Sequence, residues 1–358
     1  MQNPDRFAAG AALRALLATL GTALVANLLL PAVADAHVKW FVTYDIMCPP
    51  RAPFQMLMGR YFLSFCLWLA PLMFVVSLAD RYLSLGARAP ARWLDELADR
   101  LAERLPLLLR ATVAVFFVAL ACYGNLILTP ELRTSQPWVA TLQLAIAASM
   151  LSRRTSWLGA LGMLGLFALA VAEYGVFHML DYPIFLGIAA YLAIDSRWRG
   201  TYLDIGSMML RVSTGLSLLW GGIEKFAYPE WSYMLLQQRP ELTMGFNPEF
   251  FLVAAGFVEV CAAFLMIAGL LAARAAAALL LAFMITGVIV FGMVDAIGHL
   301  LIMVPLVMII LSRNSYGMQL ALPTRPLLMA GGQMAAFYVT LLGLVGAYYG
   351  GHYLSFQA

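Results

Sequence analysis

Long apolar runs separated by short polar segments follow one another along the whole chain. A helix that crosses the hydrocarbon core of a bilayer, about 30 Å thick, needs about 20 mostly apolar residues. About eleven runs approach this length, so the pattern predicts an all-α integral membrane protein with about eleven transmembrane helices. The predicted spans are residues 14–33, 57–79, 106–128, 137–151, 157–176, 178–194, 203–222, 250–272, 275–294, 297–311 and 328–349.

The first apolar run allows two interpretations. Arg6 and Arg14 precede or open it, and Ala-Asp-Ala at 34–36 resembles the cleavage site of a secretory signal. Cleavage there would leave His37 as the N-terminus, with an amine and an imidazole that could chelate copper. The run is longer than the 7–15 residues usual for a signal core, so we expect an uncleaved anchor.

The positive charges predict the orientation of the spans, because Lys and Arg favour the cytoplasmic side of short loops. With the N-terminus inside and the C-terminus outside, sixteen of the 22 Lys and Arg residues lie on or toward the cytoplasmic face. The other six are Lys39, Arg51, Arg60, Arg133, Lys225 and Arg239. Between the second and third spans, apolar residues at helical spacing predict a short interfacial helix within 80–104.

Composition agrees with this class of protein. Hydrophobic residues make up 63% of the chain and charged residues 11%, which excludes an ordinary soluble enzyme. The net charge of +3 includes no basic block, so no nucleic-acid surface is expected. No phosphate-binding glycine motif is present, and we expect no nucleotide site. The four cysteines have no metal-finger spacing.

Two pairs of segments indicate an internal duplication. Residues 123–132 (YGNLILTPEL) resemble residues 220–231, and residues 174–181 (YGVFHMLD) resemble residues 291–299 (FGMVDAIGH). We therefore predict two parallel four-helix units, at 106–200 and 201–312. Residues 1–105 would hold two leading spans, an outer segment rich in His, Asp, Met and Cys, and the interfacial helix, while 313–358 would hold a trailing span.

The second unit carries the sequences GGIEKF at 221–226 and GFVE at 256–259, then Arg274, Gly292, Asp295 and His299. These residues resemble the DoxX/DoxD-like family of four-helix membrane proteins, over about 201–312 and more weakly in the first unit. The resemblance implies a membrane component that works near quinones, thiols or metals, often with a partner protein. It transfers no established catalytic residue. The chain is also about three times as long as a single four-helix member, and it lacks a paired-cysteine motif on its outer face.

Charged residues inside apolar spans are costly and usually have a partner or a task. Counting depth along the helices predicts an ion pair between Arg211 and Glu259, as a structural lock or as a tuned proton relay. Near the outer end, Glu224 is expected to approach Asp295 and His299 in an acid-rich pocket. The loop at 226–249, which contains Trp231, would cap that pocket.

The candidate residues follow from these patterns. As catalytic candidates we take Glu224, Glu259, Asp295 and His299, and as cofactor-binding candidates Arg211, Lys225 and Trp231. All four histidines fall on the predicted outer side, and His37 and His178 are candidate metal ligands. No two histidines have the spacing of a sequence-local metal motif, so a copper or haem site is the weaker expectation and a bound quinone the stronger.

Three functions remain open at the level of sequence. The preferred one is a redox-linked membrane subunit, associated with a quinone or a metal, that meets a partner redox protein at its outer face. A transporter or permeation protein that uses the Arg211–Glu259 pair is an alternative, and so is a non-catalytic scaffold. The expected location is a bacterial inner membrane, and whether the chain is an enzyme stays open.

Overall fold

The protein is described by a computed structural model over residues 38–86, 88–312 and 325–357, with side chains at 38–82, 93–312 and 325–357. Within these ranges the chain is helical, and its only extended pairing is an isolated bridge between Leu126 and Arg133. Seven of the described helices are long and apolar enough to cross a membrane. The predicted all-α membrane fold is thus confirmed. The first predicted span, residues 14–33, and His37 lie outside the described residues.

The helices are named here in chain order. They are α1 (Pro53–Leu57), α2 (Arg60–Gly86), α3 (Arg88–Leu101), α4 (Leu105–Tyr123), α5 (Trp138–Ser149), α6 (Ser156–Met179), α7 (Pro183–Ala227), α8 (Pro229–Gln238), α9 (Pro248–Ala268), α10 (Leu271–Phe291), α11 (Met293–Ile310) and α12 (Pro326–Phe356). Short 3₁₀ turns at Val38–Trp40 and Pro240–Thr243 complete the secondary structure of the described ranges. The seven candidate spans are α2, α4, α6, α9, α10, α11 and α12.

Helix α7 is a helical hairpin. Its backbone leaves helical geometry at Trp198, and the two halves, 183–197 (α7a) and 199–227 (α7b), fold back on each other. The Ile184 amide donates to Ser217 Oγ over 3.1 Å. Gly206 lies against Ile194, although a straight helix would place them about 18 Å apart. The two halves correspond to the spans predicted at 178–194 and 203–222.

Two hydrophobic clusters organise the helices. One joins α4, α5, α6 and α7a, with added residues from α7b and α11. The other joins α7b, α9, α10 and part of α11, and it is covered by α2 and α12. Helix α11 also packs against α4, which brings the two groups of helices side by side. This packing accommodates the predicted four-helix units, whose boundaries stay a prediction.

The second pair of repeated segments has matching backbone breaks. Gly175 has φ 83° and ψ 160°, and Gly292 has φ 75° and ψ −146°. This region is essentially restricted to glycine, because a Cβ would clash with the backbone. Each glycine follows an aromatic residue, Tyr174 or Phe291, at a helix end or kink. The same local geometry at both sites is consistent with duplication of this segment.

The alternating helices place polar groups at two opposite ends of the bundle. We call them the Lys39 end, with Lys39, Asp181, Glu224 and His299, and the Asp195 end, with Asp80, Asp195, Arg211 and Arg274. At the Asp195 end, the Asp80 carboxylate accepts from the Leu270 and Ala272 amides over 2.8 and 2.6 Å. It thereby caps the first turn of α10.

The predicted interfacial helix corresponds to α3, and it is tied to the bundle. Asp95 of α3 lies 2.7 Å from the Arg274 guanidinium of α10. Arg274 also donates from Nε to the Ser312 carbonyl over 2.9 Å. Leu97 and Ala98 are buried, while Trp93 is 42% exposed. Helix α3 thus has one packed face and one open face at the Asp195 end.

Candidate functional site

A buried lysine is the centre of the polar cluster at the Lys39 end. Lys39 Nζ lies 2.5 Å from Asp181 Oδ2 and 2.6 Å from Glu224 Oε1, and its side chain is fully shielded from solvent. Asp181 comes from the turn between α6 and α7, and Glu224 from the last turns of α7b. Tyr348 of α12 places its hydroxyl 3.3 Å from Glu224 Oε1. Segments far apart in sequence therefore meet at one ammonium group.

A second acidic group adjoins this centre. Glu131, from the loop after α4, lies 3.1 Å from His178 Nε2, and the Tyr182 hydroxyl donates to the same Glu131 oxygen. The Tyr44 hydroxyl lies 3.4 Å from His178 Nε2. Lys39 Nζ stands 5.6 Å from the ring centroid of Tyr44 and 5.6 Å from that of Trp231. The ammonium thus has carboxylates and aromatic faces as its neighbours.

Electrostatics keep this cluster charged at its centre. Burial acts to lower the pKa of Lys39, but the charges of Asp181, Glu224 and Glu131 outweigh it and hold that pKa well above its usual value. Burial and the Glu131 charge raise the pKa of the Tyr44 and Tyr182 phenols. Both tyrosines therefore stay protonated at neutral pH and can donate hydrogen bonds. One lysine faces three carboxyl groups, so the cluster has an excess of acidic groups.

His299 belongs to a neighbouring group on α11. Its Nδ1 lies 3.1 Å from Asp295 Oδ1, one helical turn earlier, and both residues are buried. The Trp40 ring lies 4.7 Å from the His299 ring, centroid to centroid. Trp40 packs directly on Gly298, where a Cβ would come within 2.1 Å of the indole. Because Trp40 follows Lys39 in the chain, the His299 group and the lysine cluster are neighbours.

Lys225 and Glu259 form the third polar group. Lys225 Nζ of α7b donates to Glu259 Oε2 of α9 over 2.5 Å, and both side chains keep a small exposed fraction, 13% and 16%. A small cavity of about 60 Å³, room for about four waters, joins this pair to the other groups. Its polar lining includes Trp40, Asp181, Tyr182, Lys225, Glu259 and His299, and its apolar lining includes Ile184, Phe185, Leu218, Met284, Leu301 and Ile302.

The predicted Arg211–Glu259 ion pair is wrong. Arg211 donates from Nε to the Met266 carbonyl over 2.5 Å and from Nη2 to the Gly269 carbonyl over 2.6 Å. These carbonyls belong to the last turn of α9 and its C-cap, about 10 Å along the helix from Glu259. Arg211 caps a helix end, since cations are favourable where carbonyls lack intrahelical partners. Arg211 is therefore remote from the cavity, and Lys225 is the partner of Glu259.

The other candidate residues lie at the Lys39 end. Glu224, Asp295 and His299 share that end, but Glu224 contacts Lys39 and Tyr348, whereas Asp295 contacts His299. Trp231 lies in α8 and stacks on Tyr228 with ring centroids 4.1 Å apart. The predicted capping loop is thus helical at α8 and packs beneath the lysine cluster.

The metal candidates find little support. His178 contacts Glu131 and Tyr44, and among the described residues no group of three or more His, Cys, Asp and Glu side chains converges as a metal site. His352 lies with its Nε2 2.9 Å from the Ile46 carbonyl. His37 lies outside the described residues.

Sequence reasoning missed the centre of the site. The sequence predicts Lys39 only as an outer cation, and Glu131 and Asp181 only as members of the repeated segments. The available signal was a charged residue near the end of an apolar run at each of the three positions, and Lys39 and Asp181 are each followed by an aromatic residue. The missing information was distance, because Lys39 and Asp181 are 142 positions apart in the chain.

Comparison with known proteins gives a family match for one part of the chain. No curated protein and no solved structure matches the chain. The family model DoxX matches residues 206–293, which run from α7b through α9 and α10 to the first residue of α11. This stretch contains Glu224, Lys225 and Glu259 of the site. The resemblance predicted for the second unit is therefore confirmed: residues 206–293 of this membrane protein match the DoxX family.

Proposed function

We propose that this protein is a redox-linked membrane protein whose cavity at the Lys39 end binds the ring of a quinone and exchanges protons with it. The observation that carries the proposal is the cavity itself, which places His299, Lys225 and Glu259 opposite an apolar wall beside a buried acidic cluster. An apolar ring and tail can enter such a site from lipid, while carboxylate, ammonium and imidazole groups contact the oxygens.

The residues of the cavity fit a quinone ring. Lys225 and His299 can donate hydrogen bonds to ring oxygens, and Phe185, Leu218 and Ile302 supply apolar contact. A ring exceeds the present cavity volume, so its entry requires the partly exposed Lys225–Glu259 pair to move aside. A bound quinone supplies reversible two-electron, two-proton chemistry.

The surrounding groups suit the storage and delivery of protons. Glu259 can pass a proton through Lys225 at the mouth of the cavity, and Asp295 orients His299 within it. Behind them lie three carboxyl groups, those of Glu131, Asp181 and Glu224, with only one lysine among them. The cluster can therefore retain protons on its carboxyl groups. The electrons would come from a partner redox protein docked at the same end.

The proposal of a transporter loses its main support. It required Arg211 and Glu259 as a coupling element, and Arg211 is bonded to backbone carbonyls at the end of α9. Nothing in the described residues favours a metal cofactor over a quinone at this site.

Quinone content of the purified protein tests the proposal. The full-length protein is extracted in mild detergent, and its lipid extract is analysed by mass spectrometry for quinones. Binding of a short-chain ubiquinone is then titrated by quenching of the tryptophan fluorescence, to which Trp40 in the cavity contributes. We expect copurified quinone in the wild type and a loss of binding of about tenfold or more in His299→Gln and Lys225→Met, since each removes a donor to a ring oxygen.

The control variant is Arg239→Gln, which removes an exposed cation from the same end without touching the cavity. Its quinone binding should equal that of the wild type. Thermal unfolding of each variant separates loss of the site from loss of the fold. Absence of copurified quinone together with no quenching by ubiquinone, in protein that unfolds cooperatively, contradicts the proposal.

A further inference from the structure

A second buried polar group lies at the Asp195 end, far from the cavity. Asp195 of α7a is fully buried, and neither carboxylate oxygen accepts a hydrogen bond. Arg199 Nε lies 3.5 Å from Asp195 Oδ1, and Arg199 Nη2 lies 3.3 Å from Glu103 Oε2. Arg110 and Arg153 lie close enough to act on Asp195 electrostatically.

Three separate parts of the chain contribute these arginines. Arg110 lies in the second turn of α4, Arg153 in the turn between α5 and α6, and Arg199 just after the break in α7. Ser156 Oγ donates to the Arg153 carbonyl and lies 3.4 Å from the Leu192 carbonyl. This contact places the α5–α6 turn one helical turn from Asp195.

The cluster has a surplus of positive charge. Arg110, Arg153 and Arg199 provide three guanidinium groups against the two carboxylates of Asp195 and Glu103, and the Glu103 side chain is 87% exposed. Arg110 Nε is buried and has no hydrogen-bond partner. Buried polar atoms are normally hydrogen-bonded, so an unpaired guanidinium donor in a cationic cluster indicates that an anion completes the site.

The surroundings indicate which anion. Leu107, Leu151 and Leu158 expose 56%, 88% and 48% of their surface around the arginines. Trp157 lies under the Arg197 guanidinium at 4.6 Å, and indole rings of this kind occupy the headgroup level of a bilayer. Apolar surface beside guanidinium groups matches a molecule with acyl chains and an anionic head.

We propose that Arg110, Arg153 and Arg199, arranged around Asp195, bind the phosphodiester headgroup of an anionic phospholipid. The guanidinium groups contact the phosphate oxygens, Asp195 holds Arg199 in place, and the exposed leucines contact the acyl chains. The site lies on the first group of helices, at the opposite end from the cavity, and does not depend on the function proposed above.

Native mass spectrometry of the delipidated full-length protein tests this site. Phosphatidylglycerol, phosphatidylcholine and inorganic phosphate are added in separate arms, and bound adducts and thermal unfolding are measured. We expect phosphatidylglycerol adducts and a raised Tm in the wild type. The double variant Arg110→Gln/Arg153→Gln should bind phosphatidylglycerol about tenfold more weakly, since it loses two charge-assisted contacts.

The matched control is Arg60→Gln/Arg239→Gln, which removes the same charge from exposed positions at the Lys39 end. It should bind phosphatidylglycerol as the wild type does. Arg153→Gln alone, a change at an exposed position, replaces the double variant if the latter does not fold. Equal phosphatidylglycerol binding by variant and control, or equal binding of phosphatidylcholine, overturns the proposal. Stabilisation by inorganic phosphate that abolishes lipid adducts assigns the site to soluble phosphate and also overturns it.

Discussion

Lys39 is the residue on which the buried acidic cluster depends. It is the shared neighbour of Asp181 and Glu224, and its fully shielded ammonium offsets two carboxylates that would otherwise be buried without a cation. Removing one partner of a buried ion pair costs more than the pair itself contributes, because the remaining charge stays desolvated. The stability of the Lys39 end should therefore be sensitive to this position.

The change Lys39→Met should destabilise the protein by about 3–5 kcal/mol, because it leaves the buried carboxylates of Asp181 and Glu224 without a cation. Lys39→Arg, which keeps the charge, should cost clearly less. Exposed Arg239 pairs with exposed Glu241, so Arg239→Gln should change stability by less than about 1 kcal/mol. Chemical or thermal unfolding in detergent measures all three, and equal stability of Lys39→Met and the wild type would contradict the role assigned to Lys39.

The stability of the wild type and that of Lys39→Met should depend differently on pH. In the wild type the pKa of Lys39 is raised, so its stabilising effect is fully present below about pH 10 and is lost only as pH rises through the folded-state pKa. In Lys39→Met this pH-dependent stabilisation is absent. The difference in unfolding free energy between the wild type and Lys39→Met should therefore decrease as pH rises above about 10, through the raised pKa of Lys39. Equal dependence of the unfolding free energy on pH in both proteins, measured from neutral pH to above about pH 10, would refute the expectation.

At the level of the element, helix breaks decide where the site residues point. Gly175 interrupts α6 just before His178, and Gly292 separates α10 from the helix that carries Asp295 and His299. Both breaks need backbone angles that only glycine adopts readily. The repeated aromatic-glycine pairs thus set the start of the segments that bring histidine and aspartate to the Lys39 end.

Substituting either glycine by alanine should cost about 1–3 kcal/mol and misplace the following histidine. Gly343→Ala is the matched control, because Gly343 lies inside α12 with helical backbone and open space around it. That change should be neutral or stabilising by up to about 1 kcal/mol. Unfolding temperatures compare the three variants; a Gly292→Ala protein as stable as Gly343→Ala would show that the break tolerates a side chain.

The same elements show what sequence could predict. Apolar runs of sufficient length predicted the seven candidate spans of the described residues, because burial in lipid constrains every residue of a run. Two further predicted runs coincide with the two halves of the α7 hairpin. The prediction of an Arg211–Glu259 pair is wrong because depth within each helix does not determine the register between two helices. Arg211 lies level with the end of α9 and donates hydrogen bonds to backbone carbonyls there, while Lys225 lies level with Glu259.

Across the whole molecule, charge is unevenly distributed between the two ends. Arg110, Arg153, Arg199 and Arg274 lie at the Asp195 end, and Lys39 with Lys225 lies among acids at the other. An excess of arginine on one side favours the cytoplasmic face. This asymmetry is the basis of the predicted orientation, with the Lys39 end outside, which can be measured directly.

Single-cysteine labelling checks the orientation. In a background without the native cysteines, Arg239→Cys reports the Lys39 end and Arg154→Cys the Asp195 end, and both native side chains are exposed. A membrane-impermeant maleimide applied to intact cells should label Arg239→Cys, and it should label Arg154→Cys only after permeabilisation. The opposite pattern would invert the topology and place the cavity on the cytoplasmic side.

The position of Lys39 in the chain also bears on how the protein is made. Asp181 is synthesised 142 residues after Lys39, and Tyr348, which contacts Glu224, comes later still. During insertion by the translocation machinery the ammonium therefore has none of these partners and must remain hydrated at the membrane surface. Its burial is a late event in biosynthesis, and nascent chains that end before residue 181 should leave Lys39 open to amine-reactive reagents.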